Sequence, residues 1–345
     1  MTTNTGLLPR SVRVRRRSAA RLSLALTFSL ALLACALLAS VMFGSHSNSP
    51  GDVFDVLGGG GDTYLRTVVE SRYPRTVLGV LAGTCLAVAG TLMQGITRNP
   101  LAEPGLLGIN AGASASIVAA TAYLGASGQS DTMWWALPGT FLTALAVHAL
   151  GTAGGLGGPA RLVLAGAVLS AVLTAFIQAV TLSHPKVFET YRYWVVGALG
   201  GRDFDVVRSV LPFALGGLLI AALLGPRLNA MAMGDDTATS LGTKPHQVKA
   251  AGLLAATLLS AAATAAVGPI AFVGLAVPHL VRVLVGTDFR FQVLFSALLG
   301  PSLVLLADVV GRVLLRPQEL MVGVVTAFIG APALLIAVRK MRGTS

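Results

Sequence analysis

The sequence predicts an all-α, polytopic membrane protein with about ten transmembrane helices and short interfacial helices. Of its 345 residues, 54% are hydrophobic and only 11% are charged, whereas soluble domains carry about 25% charged residues. The mean hydropathy is +0.77, and a soluble interior could not enclose so much apolar surface. The 40 glycines suit a bilayer, where small residues allow helix backbones to approach closely.

The individual elements follow from apolar runs that glycine, proline and charged residues interrupt. Each run is close to the ~20 residues that cross a bilayer. An amphipathic segment, Thr190–Leu199, is predicted to form an additional interfacial helix. Only Gly268 and Pro269 separate the seventh span from the eighth. The ten predicted spans are 22–43, 76–95, 106–125, 134–152, 161–182, 206–225, 247–267, 270–286, 293–312 and 321–338.

The N-terminal segment is basic and lies directly before the first apolar run. Its arginines are Arg10, Arg13, Arg15, Arg16, Arg17 and Arg21. No aromatic residues are interleaved with them for base stacking, so we predict a cytoplasmic juxtamembrane anchor and not a nucleic-acid site. The predicted organisation is an Arg-rich cytoplasmic tail, residues 1–21, and one transmembrane domain, residues 22–343.

Two other interpretations of the N-terminus are a cleaved secretory signal and a lipoprotein, because Leu32–Cys35 resembles a lipidation box. The apolar stretch continues past Cys35 to Phe43, however, and a signal core spans only ~7–15 residues. A retained first helix is therefore favoured. Cys35 and Cys85 both fall within predicted spans, which indicates neither a disulfide framework nor a metal site.

The distribution of charge predicts the orientation of the chain. With ten spans, both termini lie on the same side of the membrane. Lysine and arginine are more numerous in the segments on that side, whereas the acidic residues concentrate on the other side. By the positive-inside rule both termini are cytoplasmic, and the protein is a multi-pass plasma membrane protein.

The sequence contains no pattern for catalysis, for a cofactor or for a metal. A phosphate-binding loop is absent, since Gly242–Lys244 lacks the preceding glycine pattern and a following Ser or Thr. Neither a nucleophile–base pair nor a ligand cluster is recognisable. We therefore predict that the chain alone is not an enzyme. The histidines are scattered at His46, His148, His184, His246 and His279.

Asp308 is the one acidic residue within a predicted span, and Arg312 follows one helical turn later. An i, i+4 pair shares a helix face and can offset the cost of burying both charges. One interpretation is a buried pair that fixes helix packing. The other places Arg312 at the outer mouth as a docking charge. The two are compatible, and the sequence does not choose between them.

The strongest pattern lies between residues 68 and 113. Pro74 marks a helix start, and the Asn-Pro and Glu-Pro pairs interrupt the helix between two spans. Gly108 and Gly112 offer a small-residue face for close packing. The motifs read Arg72-Tyr73-Pro74-Arg75, Arg98-Asn99-Pro100-Leu101-Ala102-Glu103-Pro104 and Gly108 with Gly112.

With these motifs the chain resembles the FecCD-type permeases, which import iron–siderophore, haem and cobalamin complexes as ABC transporters. The C-terminal half carries the resemblance further, through Gly268–His279, Asp288, Ala307-Asp308, Arg312, Gly323 and Gly330-Ala331-Pro332. The resemblance implies the type II ABC importer permease fold. It also implies family-motif structural roles for Asn99, Pro100, Leu101, Pro104, Gly108, Gly112, Pro278, His279 and Asp308.

The resemblance further implies partners. A second copy or a sister permease completes the pathway at a dimer interface. A cytoplasmic ABC ATPase dimer and an extracytoplasmic substrate-binding (lipo)protein occupy the two faces, and no nucleic acid or cofactor is involved. Family frequency favours a ferric siderophore as cargo over haem or cobalamin.

Two sets of functional residues also follow from the resemblance. Arg72, Arg75 and Arg312 are expected to dock the binding protein. The loop between the sixth and seventh spans, Ala230–Gln247, is expected to contact the ATPase, although a solvated connector is the alternative. The residues of this coupling loop are Gly234, Asp235, Ala238, Leu241 and Gly242, and the family more often has Glu at position 235.

Two rival functions remain open. An ion-gradient-driven secondary transporter would need intramembrane acidic or histidine relays, and only Asp308 is offered. A scaffold protein would leave the interrupted segments 96–105 and 268–278 without a role. These segments contain a similar four-residue sequence, Leu101–Pro104 and Leu275–Pro278, referred to below as the Leu-Ala-x-Pro echo. An internal repeat and chance recurrence in so apolar a chain explain it equally well.

We expect the purified chain alone neither to bind nor to hydrolyse ATP, because it has no phosphate-cradling loop. Binding of a fluorescent ATP analogue to the isolated subunit in detergent would measure this directly. Saturable nucleotide binding by the isolated subunit would contradict the assignment as a non-enzymatic subunit.

Overall fold

The computed structural model describes residues 10–44, 51, 55–56, 58–60, 62–126, 128–152 and 159–342. Across these residues the secondary structure is helical and contains no strand, which confirms the predicted all-α fold. The α-helices are α1 (Arg10–Met42), α2 (Thr63–Glu70), α3 (Arg72–Thr97), α4 (Ile109–Tyr123), α5 (Gly128–Thr152), α6 (Pro159–Ser183), α7 (Pro185–Val195), α8 (Phe204–Ala232), α9 (Asp235–Ser240), α10 (Pro245–Val267), α11 (Val273–Val285), α12 (Phe289–Leu314) and α13 (Val322–Arg342). A 3₁₀ turn, Pro104–Leu107, precedes α4.

Seven stretches of the described chain are long and apolar enough to cross a membrane: Ala20–Met42, Thr63–Thr97, Met133–Gly151, Arg161–Ser183, Phe204–Ala232, Pro245–Val267 and Phe289–Leu314. The other three predicted spans correspond to α4, α11 and α13. The 13 residues of α11 rise only about 20 Å, less than a ~30 Å hydrocarbon core. This helix is therefore too short to span the core unaided.

The described helices differ from the predicted elements in several places. The interfacial helix is α7, which begins five residues before the predicted start at Thr190 because Pro185 favours the first helical turn. It ends before Gly197, whose φ is 72°. Helix α1 already begins at Arg10, so the boundary drawn after residue 21 lies within a continuous helix. The coupling loop contains a short helix, α9.

Helix α3 lies at the centre of the bundle and packs against α10, α11 and α12. Its glycines allow this approach. A side chain at Gly83 would come within 2.6 Å of the Gly300 backbone on α12, and one at Gly90 would overlap the Gly274 backbone on α11. Close backbone contact provides the packing that hydrophobic burial cannot provide in lipid. The arginine-bearing start of α3 is thereby held beside α12.

The peripheral helices present large apolar side chains at their surfaces. On α8, Leu211, Leu215, Leu219 and Leu223 are all exposed at four-residue spacing, which aligns them along one helix face. By contrast, Ala261–Ala263 and Ala265–Ala266 of α10 are at most 1% exposed. The small side chains therefore lie inside the bundle, and the leucine stripe suits contact with lipid.

Candidate functional site

At one end of the bundle, three helices meet around the carboxylate of Asp308. Asp308 lies on α12 and is 1% exposed. Arg75, near the start of α3, donates to both of its oxygens: Nη2 to Oδ1 at 2.7 Å, and Nε to Oδ2 at 3.0 Å and to Oδ1 at 3.2 Å. Arg312 Nε lies 3.0 Å from Oδ2, but the N–H is not aligned for a hydrogen bond, so this contact is mainly coulombic. One buried carboxylate thus serves two guanidinium groups.

Helix α1 joins this cluster through its C-terminal end. Arg312 donates from Nη1 to the Ser40 carbonyl at 3.0 Å and from Nη2 to Ser40 Oγ at 3.2 Å. Arg72 donates from Nη1 to the carbonyls of Val41 and Met42 at 2.8 and 3.0 Å. The last carbonyls of a helix have no intrahelical donor, and these arginines satisfy three of them. The outer cluster, defined as Arg72, Arg75, Asp308, Arg312 and Glu319, ties α1 to α3 and α12.

Asp308 and Arg312 lie on one face of α12 within contact distance, as their i, i+4 spacing predicts. The stronger partner, Arg75, is 233 positions away in the chain and has no local signal. Of the three arginines predicted to dock a partner, Arg72 is 5% and Arg312 is 1% exposed. Only Arg75, with a side chain 14% exposed, is partly open, and docking stays a prediction.

A cavity of about 540 Å³ opens beside the outer cluster. It is lined by more basic than acidic groups, among them Arg72, Arg75, Arg202, Asp203, Arg312 and Glu319. Arg75 Nη1 donates to Glu319 Oε2 at 2.8 Å. A recess with an excess of basic groups attracts carboxylates.

The interrupted segment after α3 has the non-helical backbone that its proline pairs predict. Arg98 ends α3 in the left-handed region, at φ 52°. Asn99 Oδ1 then accepts a hydrogen bond from the Leu101 amide at 3.0 Å, which forms an Asx turn. Pro104 starts the 3₁₀ turn, and Gly108, at φ 72°, ends it.

This segment lies against the second interrupted segment, at the start of α11. A side chain at Gly274 would meet the Leu86 carbonyl at 3.0 Å and the Pro104 ring at 3.3 Å. Burial raises the pKa of Glu103, an effect that the nearby backbone of Phe272, the residue before α11, opposes only in part. The two segments of the Leu-Ala-x-Pro echo are therefore neighbours.

Sequence reasoning placed Glu103 in the Arg98–Pro104 motif but gave its side chain no role, because it falls in a connection between two predicted spans. Leu86, which lines the same small recess as Glu103 and Gly274, lies near the middle of α3. The connection thus returns into the bundle and carries an acidic group toward its interior. Among described residues other than glycine, only Arg98 and Phe272 have positive φ, and each adjoins one interrupted segment.

Two glycines that follow the interrupted segment, Gly108 and Gly112, allow α4 to pack closely against α5 and α6. A side chain at Gly112 would come within 2.6 Å of the Gly139 carbonyl on α5, and one at Gly108 would come within 3.0 Å of Ser170 Oγ on α6.

In the second half of the chain, Pro278 is buried within α11 and His279 is half-buried in the middle of that helix. Within the described residues there is no group of three His, Cys, Asp or Glu side chains placed to hold a metal.

The opposite end of the bundle holds the predicted coupling loop. Asp235, the first residue of α9, contacts Arg98 and accepts a hydrogen bond from Lys249 Nζ at 2.8 Å. The Lys249 hydrogen bond, with the charges of Lys249 and Arg98, lowers the pKa of Asp235 below its ordinary value. Asp235 is thus ionised at neutral pH and links α9 to the end of α3 and the start of α10.

Some of the remaining coupling-loop residues are buried, and others are exposed at the surface. Ala238 is fully buried, whereas Leu241 is 61% exposed. Gly234 and Gly242 both have positive φ, at 111° and 78°. A side chain at Gly242 would meet no atom within 4 Å. Leu241 and Gly242 are therefore available to a partner, and their role stays a prediction.

Comparison with known proteins gives a consistent result over almost the whole chain. A family model for the FecCD transport family matches residues 32–340. The ferric enterobactin transport system permease protein FepD of Escherichia coli K12 is 44% identical over 318 residues, covering 91% of this chain and 95% of that protein. The Fe(3+)-citrate import system permease protein YfmD of Bacillus subtilis 168 is 39% identical over 271 residues, covering 79% and 80%. A solved structure described as an inward-facing metal-chelate type ABC transporter matches with a TM-score of 0.80 and 25% identity, covering 91% and 98%.

Replacing Asp308 with Asn is expected to destabilise the protein by about 3–5 kcal/mol, because the buried Arg312 then loses its counter-charge and Arg75 loses the more enclosed of its two acidic partners. Thermal unfolding of the detergent-solubilised protein measures the change. Asp205→Asn is the matched control, since its pair with Arg208 at 3.0 Å is exposed at both side chains and such pairs contribute at most about 1 kcal/mol. Equal effects of the two variants would contradict the central role of Asp308.

Proposed function

The chain belongs to the FecCD transport family, and we propose that it is the permease subunit of an ATP-binding cassette importer that carries a ferric siderophore. The observation that carries this proposal is the likeness to the ferric enterobactin permease FepD, which extends over 91% of this chain. YfmD, named for Fe(3+)-citrate import, also favours a ferric chelate. Haem and cobalamin are the alternative cargoes within the family.

In this proposal, separate ATPase subunits supply the energy. A secondary transporter would need acidic groups that load and release a coupling ion. Asp308 is enclosed and bound by Arg75 and Arg312, so its charge is already compensated by the protein. This arrangement favours a passive pathway that partners switch between two access states.

The orientation proposed has both termini in the cytoplasm. At the end of the bundle that carries α9, Arg98 and Lys249 meet Asp235. Arg21 of α1 donates to the carbonyls of Val283 and Leu284 at the end of α11. Basic residues near span ends favour the cytoplasmic side. The outer cluster then faces the extracytoplasmic side.

The partners are assigned to these two faces. A cytoplasmic ATPase dimer would contact the coupling loop around Leu241 and Gly242, and an extracytoplasmic binding protein would dock over the outer cluster. A second copy or a sister permease would complete the pathway. Complementary charge at the docking face mainly fixes orientation and raises the rate of encounter. Of the three docking arginines, Arg75 is the most open, so we propose that Arg72 and Arg312 hold the cluster that presents it.

Uptake in proteoliposomes tests the proposed energy source. With ATPase subunits, binding protein and internal ATP, the permease should accumulate a ⁵⁵Fe-labelled siderophore. Without the ATPase, neither a proton nor a sodium gradient should drive uptake. Gradient-driven uptake by the permease alone would instead identify a secondary transporter.

Substitution of Gly242 tests the coupling loop. Gly242→Leu should abolish ATP-driven uptake while membrane insertion persists, because a side chain at positive φ strains the backbone at the surface offered to the ATPase. Gly125→Leu is the matched control: its φ is 69°, it also has open space around it, and it lies at the opposite end of the bundle. Normal uptake by Gly242→Leu, or equal loss in both variants, would assign the loop to a connector role.

A further inference from the structure

The cavity at the outer cluster contains a carboxylate that the docking proposal leaves unexplained. Arg75 offers two edges of its guanidinium group. The Nε and Nη2 edge binds Asp308, which is enclosed, whereas Nη1 binds Glu319 at 2.8 Å. The Glu319 side chain is 35% exposed. Of the two acidic partners of Arg75, Glu319 is the one that an approaching molecule can reach and displace.

A second cation lines the same cavity. The side chain of Arg202 contributes to its wall, and its Nε is buried without a hydrogen-bond partner among the described residues. Burial lowers the pKa of Arg202, an effect that neighbouring Asp203 only partly opposes. A partly desolvated guanidinium is unfavourable unless it is paired, so an incoming carboxylate would stabilise it.

The loop that carries Arg202 lies against the Arg75–Glu319 pair. A side chain at Gly200 would come within 3.2 Å of Arg75 Nη1 and 4.0 Å of Glu319 Oε2. A side chain at this position would crowd the Arg75 guanidinium group. The backbone two positions before Arg202 therefore touches the site at which Glu319 is bound.

We propose that Glu319 holds the place of an acidic side chain of the extracytoplasmic substrate-binding protein, which displaces it from Arg75 and pairs with Arg202 on docking. The proposal rests on the proposed function, because it assumes that a binding protein docks on this face. It adds two residues to the docking surface, and their effects on binding are opposite. Glu319 opposes docking, and Arg202 promotes it.

Affinity measurements test the opposite effects of Glu319 and Arg202 on docking. The probe is the purified cognate substrate-binding protein, and the target is the permease–ATPase complex in nanodiscs at physiological salt. Glu319→Gln should tighten binding about two- to fivefold, because the competing carboxylate loses its charge while its shape is retained. Arg202→Gln should weaken binding by a similar factor. Thermal unfolding of each complex verifies that the variants remain folded.

The exposed pair of Asp205 and Arg208 provides matched controls on the same face. Its side chains are 81% and 78% exposed and do not line the cavity. Asp205→Asn and Arg208→Gln make the same changes in net charge and should alter affinity less than about twofold. If a control variant changed the affinity as much as its test variant, the effect would be one of general charge, and the proposal would be overturned.

A salt series on the unaltered complex separates this inference from the docking proposal beneath it. If the affinity does not fall as salt rises, docking through arginines is wrong, since such attraction is screened. If the affinity falls with salt but Glu319→Gln binds no more tightly, the displacement of Glu319 is wrong while docking stands. Unchanged affinity in Arg202→Gln would overturn the role of Arg202.

Discussion

The arrangement of the bundle depends on one buried carboxylate. Asp308 is almost fully enclosed, and an ionised group in a membrane interior is tolerated only with compensation. Arg75 and Arg312 provide it, and Arg312 extends the contact to the end of α1 through Ser40. Three helices from distant parts of the chain are therefore held at one end. Removing the carboxylate would leave the buried Arg312 without its counter-charge and Arg75 with Glu319 alone.

Away from this fixed end, the bundle contains the short helix α11, with polar groups near both of its ends. Glu103 lies near Phe272, the residue before α11, and Arg21 binds the carbonyls of Val283 and Leu284 near its last turn. Negative charge near the start of a helix and positive charge near its end complement the helix dipole. Arg98 ends α3 and also binds Asp235 of α9. One ion pair thus connects α9 to the interrupted segment that follows α3.

The sequence predicted what depends on local pattern. Long apolar runs marked the spans, Gly268 and Pro269 separated α10 from α11, and the four-residue spacing paired Asp308 with Arg312. It did not predict contacts between distant segments: no local pattern joins Arg75 to Asp308 across 233 positions. Glu103 was given no role because a connection of ordinary length gave no sign that it folds back into the bundle. Helix α9 was missed because six residues are too few for a periodic signal.

A double-mutant cycle on Arg75 and Asp308 tests the central claim most directly. Thermal unfolding of the unaltered protein, Arg75→Gln, Asp308→Asn and the double variant gives the coupling free energy between the two side chains. If the buried pair organises the outer end, the double variant should be less damaged than the sum of the single changes, with a coupling of at least about 1 kcal/mol. Additive effects, with no coupling beyond about 0.3–0.5 kcal/mol, would contradict the account.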